Sequence, residues 1–287
     1  MIKEFISVLL DNDISFLRYA LLTGLIGSIP LGISGTFVVS RNISAVAGAV
    51  SHAVLGGVGL ALYLNRVTGL LWATPLLGAM VGAFAAALLI YFASLYAGEK
   101  EDTVIAGVWA LGMSTGLLFI AKTPGYVDLQ GYLFGNILLA TKSELYMVSI
   151  LTIIITTLAM IFFRPLQAML FDSEFARLRG IRVNVLYLLL LILIAMTIVL
   201  MVNIAGIILL IALLSLPAAT AKCFVRSLSG MMILAIVLSM SELTLGLYVS
   251  FSYDLPTGPL AVLFAVLFYI AGLLKVKFKK LRNRKNA

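Results

Sequence analysis

One histidine occurs in the 287 residues, His52, and it lies within AVAGAVSHAVLGGVGLALYL, residues 45–64. That stretch is apolar and long enough to cross a bilayer. Neutral imidazole is the commonest metal ligand, and an ionisable side chain inside a span is costly and usually faces a bundle interior or a pathway. His52 therefore has two readings: a histidine satisfied by hydrogen bonds to neighbouring backbone, or a donor lining a path for a cation. Position 48, one turn earlier on the same helix face, is glycine and brings no second donor. Glu242 is the candidate companion, because it sits within the apolar run MMILAIVLSMSELTLGLYVSF. It belongs to the pathway, is a protonated acid hydrogen-bonded in the bundle, or lies near a polar helix end. Cys223 is the single cysteine, so an internal disulfide and a cysteine metal cluster are both excluded, and the chain has no CxxC or HExxH. One imidazole falls short of the four ligands of a structural zinc site. A carboxylate-rich site would suit manganese, and an imidazole-rich one zinc or iron.

These residues must be positioned by membrane helices. Hydrophobic residues make up 62% of the chain and charged ones 11%, with a mean hydropathy of +1.15, whereas soluble domains carry about 25% charged residues. The apolar runs continue from end to end, so the expected fold is all-α, one polytopic domain over residues 1–287. Spans are expected near 17–39, 44–64, 68–97, 102–121, 143–163, 184–204, 206–224, 228–251 and 255–275. That gives eight or nine, with 206–224 interrupted at SLPAAT and GYLFGNILLA (131–140) too short to span. Asn203, Ser215 and Thr220 near SLPAAT read as packing residues before pathway ones. Gly78 and Gly82 form a GxxxG, and Gly56, Gly57 and Gly59 crowd the second span, the composition of closely approaching membrane helices. The opening MIKEFISVLLDNDISF lacks the pattern of a cleaved signal peptide and is expected along the membrane surface.

The net charge of +8 is not a nucleic-acid signature. Lys275, Lys277, Lys279, Lys280, Arg282, Arg284 and Lys285 supply seven of the 20 basic residues directly after the last span. A basic tail over 276–287 is the mark of a cytoplasmic end held near anionic lipid. Alternation from that end places Arg164, Arg177, Arg179 and Arg182 on the same side, and Asp128 and Asp254 in loops on the other. Between Arg164 and Arg182, the run FDSEFARLRGI (171–181) predicts a short helix with Phe171, Phe175 and Leu178 on one face. Asp172, Glu174, Arg177 and Arg179 cover the remainder, and Gly180 stops it. Such a helix either lies on the lipid surface or fits its apolar ridge into a partner's groove.

Six landmarks carry a family resemblance: VVSRNISAVAGAVSHAVLGG (38–57), EDTVIAGVWALGMSTGLLF (101–119), GYLFGNIL (131–138), FDSEFARLRGI (171–181), NIAGIILLIALLSLPAATA (203–221) and SYDLPTGP (252–259). Together and in this order they resemble the membrane permease subunit of bacterial zinc, manganese and iron ABC importers. The resemblance implies a homodimer in the bacterial cytoplasmic (inner) membrane, served by a separate ABC ATPase and an extracytoplasmic metal-binding protein. It implies that residues 171–181 are the coupling helix, with Phe171, Asp172, Glu174, Phe175, Leu178 and Gly180 meeting the ATPase. It implies His52 as a metal residue and a divalent ion (Zn, Mn or Fe) as cargo and not as a tightly bound cofactor, while Glu242, from its place in an apolar run, stays the candidate carboxylate. The pattern leans toward zinc-type members. Family members commonly have an aspartate four residues before this histidine, where this chain has Gly48. No GxxxxGK[ST] phosphate loop occurs, so ATP hydrolysis belongs to another chain and this one is not an enzyme. Two alternatives stay open: an ABC permease for a metal chelate or vitamin, and a secondary transporter, which would show more intramembrane charge or related halves. A membrane enzyme ranks behind both.

Overall fold

A computed structural model describes residues 15–96, 101–135 and 137–285. The opening segment and most of GEKED (98–102) lie outside the described residues, and every described element is helical. In chain order these are α1 (Ser15–Arg41), α2 (Ser44–Thr68), α3 (Pro75–Tyr96), α4 (Glu101–Lys122) and α5 (Leu129–Phe134). A single 3-10 turn (Ile137–Leu139) precedes α6 (Lys142–Ile161), α7 (Phe163–Phe171), α8 (Ser173–Leu178) and α9 (Val183–Ala205). The chain closes with α10 (Ile207–Phe224), α11 (Leu228–Tyr253) and α12 (Thr257–Lys285).

Eight of the described helices are long and apolar enough to cross a bilayer: α1 to α4, α6, α9, α11 and α12. The ninth candidate, α10, is shorter, its apolar part running Leu209–Phe224. The interruption expected at SLPAAT is not there, because Pro217 lies inside a continuous α10. Proline is tolerated in membrane helices where neighbours take up the disturbed backbone. The break falls instead at Gly206, whose φ of +77° suits glycine and separates α9 from α10. A Cβ there would lie among the backbone atoms of Leu133, Phe134 and Gly135, so a side chain is excluded by space as well as by dihedral.

The helices gather into two compact units, one of Met1–Val39, Asn136–Thr156 and Ala212–Ala287, the other of Ser40–Gly135 and Thr157–Ile211. In the first, α11 packs on α12, and the small face of α1 meets α10 and α11. A Cβ on Gly32 would lie 2.7 Å from Ile236 Cα. Ala218, Ala221, Met231 and Ala235 form an apolar core there, flanked by Val39, Leu234 and Leu238. The basic tail continues α12 as helix, and Lys275 Nζ stands 4.1 Å from the Phe224 ring centroid, a cation–π contact at the end of the apolar part.

In the second unit α2 is central, packed against α3, α4 and α9. Its apolar window is 78% buried and that of α9 72%, against 33% for α3 and 22% for α4. The physical reason is the glycine pattern. Gly57 of α2 faces Gly78 and Gly82 of α3, where a Cβ on Gly78 would lie 2.7 Å from Ala61 Cβ. On the other side, a Cβ on Gly116 of α4 would lie 2.8 Å from the backbone of Leu55. Without an aqueous driving force between helices, this close backbone approach supplies the packing.

Candidate functional site

His52 lies about a third of the way along α2, 7% exposed, and its Nδ1 has no hydrogen-bond partner among the described residues. Its ring stacks on the indole of Trp109 from α4, with centroids 4.8 Å apart and planes 25° from parallel. Position 48 is occupied from across the helix pair. A Cβ built on Gly48 would fall against the same indole, 2.5 Å from Cη2 and 2.9 Å from Cε3, with Cζ3 nearer still. Gly112, one turn after Trp109, lets the α4 backbone press on α2 at this level. A Cβ there would lie 2.6 Å from Ala53 Cα and 2.7 Å from the carbonyl carbon of His52. Sequence reasoning passed over Trp109; the signal was VWALG, which puts an indole and a glycine on one helix face at i and i+3.

Glu242 belongs to the other unit, in the middle of α11 and fully buried, not near a helix end. Neither carboxylate oxygen has a partner among the described residues, nor has the hydroxyl of Ser239 one turn earlier on the same face. Thr23 of α1 is likewise buried with its hydroxyl unpartnered. Thr23 and Glu242 each adjoin the pair where α1 touches α11, since a Cβ on Gly24 would lie 3.9 Å from Leu243 Cβ. The first unit thus holds polar atoms with unused hydrogen-bonding capacity inside its apolar core, an arrangement disfavoured unless something uses it. Thr220 is buried with a free hydroxyl as well. Among the described residues no three His, Cys, Asp or Glu side chains group as a metal cluster. A transported ion, which must leave, does not require one.

The Arg164–Arg182 segment departs from the expected single helix over 171–181. Phe171 ends α7, and Asp172 (φ −152°, ψ 101°) is extended. The reason is capping: Asp172 Oδ1 accepts from the backbone N–H groups of Glu174 at 3.0 Å and Phe175 at 2.9 Å, which starts α8 anew. Gly180, at φ +79°, closes α8 in a Schellman arrangement, its N–H donating to Arg177 O and that of Ile181 to Ala176 O. Ala176 is buried, whereas Phe171, Phe175 and Leu178 are 71%, 51% and 86% exposed. Arg179 lies over the Phe175 ring at 5.0 Å. Glu174, Arg177, Arg179 and Arg182 are also exposed, so the segment offers an apolar ridge set among charges. Asp172→Ala is expected to weaken α8 by about 1 kcal/mol, read as faster amide hydrogen exchange over 173–178 with the spans unchanged.

The two loop aspartates have local structural roles. Asp128 caps α5 by accepting from Gly131 N at 3.0 Å, and Asp254 takes the left-handed turn that ends α11. The Arg66 guanidinium bonds to the carbonyls of Pro124 and Tyr126 at 2.9 and 3.0 Å, which fixes the α4–α5 loop to the end of α2. Burial raises the Tyr132 phenol above its ordinary value, with the Arg66 guanidinium opposing and Asp128 adding to the rise. In SYDLPTGP, Thr257 donates to Ser250 Oγ at 2.8 Å and Ser250 donates to the Leu255 carbonyl, which makes the motif a tight link between α11 and α12.

Comparison with known proteins places this geometry in a family. The model of the ABC 3 transport family matches residues 13–276. A probable metal transport system membrane protein of Chlamydia muridarum is 35% identical, over 94% of this chain and 92% of its own length. The manganese transport system membrane protein MntC of Listeria monocytogenes is 33% identical, over 94% of this chain and 95% of its own. Among solved structures, PsaBC from Streptococcus pneumoniae in complex with Fab matches with a TM-score of 0.85 and 32% identity. That likeness covers 98% of this chain and 100% of the matched one.

Proposed function

Since this chain belongs to the ABC 3 transport family, as a membrane-spanning transport subunit and not an enzyme, we propose that it is the permease of an importer for a divalent transition metal. Zinc and manganese stand ahead of iron. The observation that carries the reading is His52: a buried imidazole within a span, its Nδ1 without a partner among the described residues. The names of the Chlamydia and Listeria relatives, similar along nearly the whole chain, support metal as the cargo.

Two copies of the chain form the pathway in the bacterial cytoplasmic membrane, with the basic end of α12 on the cytoplasmic side. An extracytoplasmic protein delivers the ion, and His52 and Glu242 pass it through the apolar zone. A separate ATPase binds the exposed ridge of Phe171, Phe175 and Leu178, so that nucleotide-driven closure moves α7 and α8 and reorients the spans. Asp172 and Gly180 serve this contact by fixing the ends of α8, and Glu174 adds charge beside it. Transport is then alternating access, with exposure to each side in turn. A permease of the same kind for a metal chelate or vitamin is the second reading. Gly48 favours it, because the helix carrying His52 offers no second donor on that face.

The test is accumulation. Cells lacking their own uptake systems receive the permease with its ATPase and binding protein, and cellular Zn, Mn and Fe are measured. Metal above the empty-vector level is the expected result; parity with the empty vector for all three sinks the reading.

A further inference from the structure

The place beside His52 where a second donor would stand is filled, and what fills it has a consequence for selectivity. Residues 48 and 52 share one face of α2, so any side chain at 48 would project next to the imidazole. That volume holds the six-membered ring of Trp109, with Cη2 and Cε3 at 2.5 and 2.9 Å from where a Cβ would be. The same side chain stacks on His52, with ring centroids 4.8 Å apart. Gly112 completes the arrangement by letting the α4 backbone rest on Ala53 and His52, so the indole reaches both positions at once. Gly48, Gly112 and Trp109 are therefore packed as one unit; a side chain added at either glycine must displace the helix or ring opposite it.

The stack also does something for the imidazole. A histidine that binds metal through one ring nitrogen is usually oriented by a hydrogen bond from the other. Here Nδ1 has no partner among the described residues. The flat contact with the indole is what sets the ring plane.

Building on the metal-importer reading, we propose that Trp109 is the positioning and specificity-determining residue of this pathway. It orients His52 by stacking, and it occupies the space of a side chain at position 48. His52 then meets the ion as the sole donor from its helix, free of an adjacent carboxylate. An imidazole without such a carboxylate discriminates in favour of zinc over manganese, whose preference is for oxygen donors.

The experiment measures zinc and manganese uptake in the assembled transporter over a concentration series, normalised to permease recovered with its ATPase. Trp109→Phe, which keeps an aromatic face, is expected to transport like the wild type. Trp109→Leu, which keeps bulk but not the face, is expected to raise the half-saturating zinc concentration about tenfold with little change in maximal rate. Gly48→Asp alone is expected to abolish uptake, because the aspartate and the indole compete for one volume. Combining Gly48→Asp with Trp109→Ala vacates that volume and creates a carboxylate–imidazole pair; uptake returns, with the zinc-to-manganese ratio moved toward manganese by about tenfold. A double variant with the wild-type ratio, or Trp109→Leu with the wild-type half-saturation, overturns the proposal while leaving the importer intact. A wild type that accumulates no metal overturns both.

Discussion

Phe175→Asp is expected to abolish association of the ATPase with this subunit while leaving the membrane helices folded. Phe175 is half exposed on α8, between the more exposed Phe171 and Leu178, and its ring lies beneath the Arg179 guanidinium. An aromatic side chain seated in a partner's groove is the usual form of an energetic hot spot, worth about 2 kcal/mol or more on truncation. A carboxylate in its place adds the cost of burying an unpaired charge. Together these correspond to a loss well beyond tenfold in affinity. The fully buried contact of α8 is made by Ala176, and half of the Phe175 side chain is exposed. The check is co-purification of the two subunits in detergent, with Phe175→Leu as the variant that keeps an apolar anchor. A complex that survives Phe175→Asp removes the coupling role from this segment.

The second large effect is expected at the two buried polar groups. His52→Ala should reduce metal accumulation by tenfold or more, the scale on which losing even a supporting group disturbs a metal site. Glu242→Gln keeps the shape and removes the ionisable carboxyl group, so a comparable fall with undiminished ATPase association assigns that group to the ion's path. A transporter unaffected by Glu242→Gln makes Glu242 a neutral packing residue. If His52→Ala transports normally, the ion passes elsewhere.

The spans were legible because lipid demands apolar runs of sufficient length, and eight of the nine expected stretches are helices of that length. What the pattern concealed was backbone detail. SLPAAT looked like an interruption, yet Pro217 sits within α10 and the chain turns at Gly206, where its left-handed dihedral and the approach of Leu133–Gly135 demand glycine. FDSEFARLRGI read as one helix because periodicity does not reveal which polar residue will cap; Asp172 does, and it splits the segment into α7 and α8. His52 and Glu242 stood out because ionisable groups are rare in such runs. Trp109 did not stand out, because its role arises from packing across two helices. Gly48, an unfilled position in the sequence, is in the fold a place taken by a residue sixty-one positions further along.

The proposed cargo of this chain is a free divalent metal ion, carried under the power of a partner ATPase. Purified permease–ATPase complex in liposomes, supplied with the binding protein on one side and ATP on the other, tests it by accumulation of radiolabelled zinc or manganese. The expected result is uptake that requires ATP and is lost with His52→Ala. Uptake equal with and without ATP, or uptake of chelated metal but not of the ion, contradicts it.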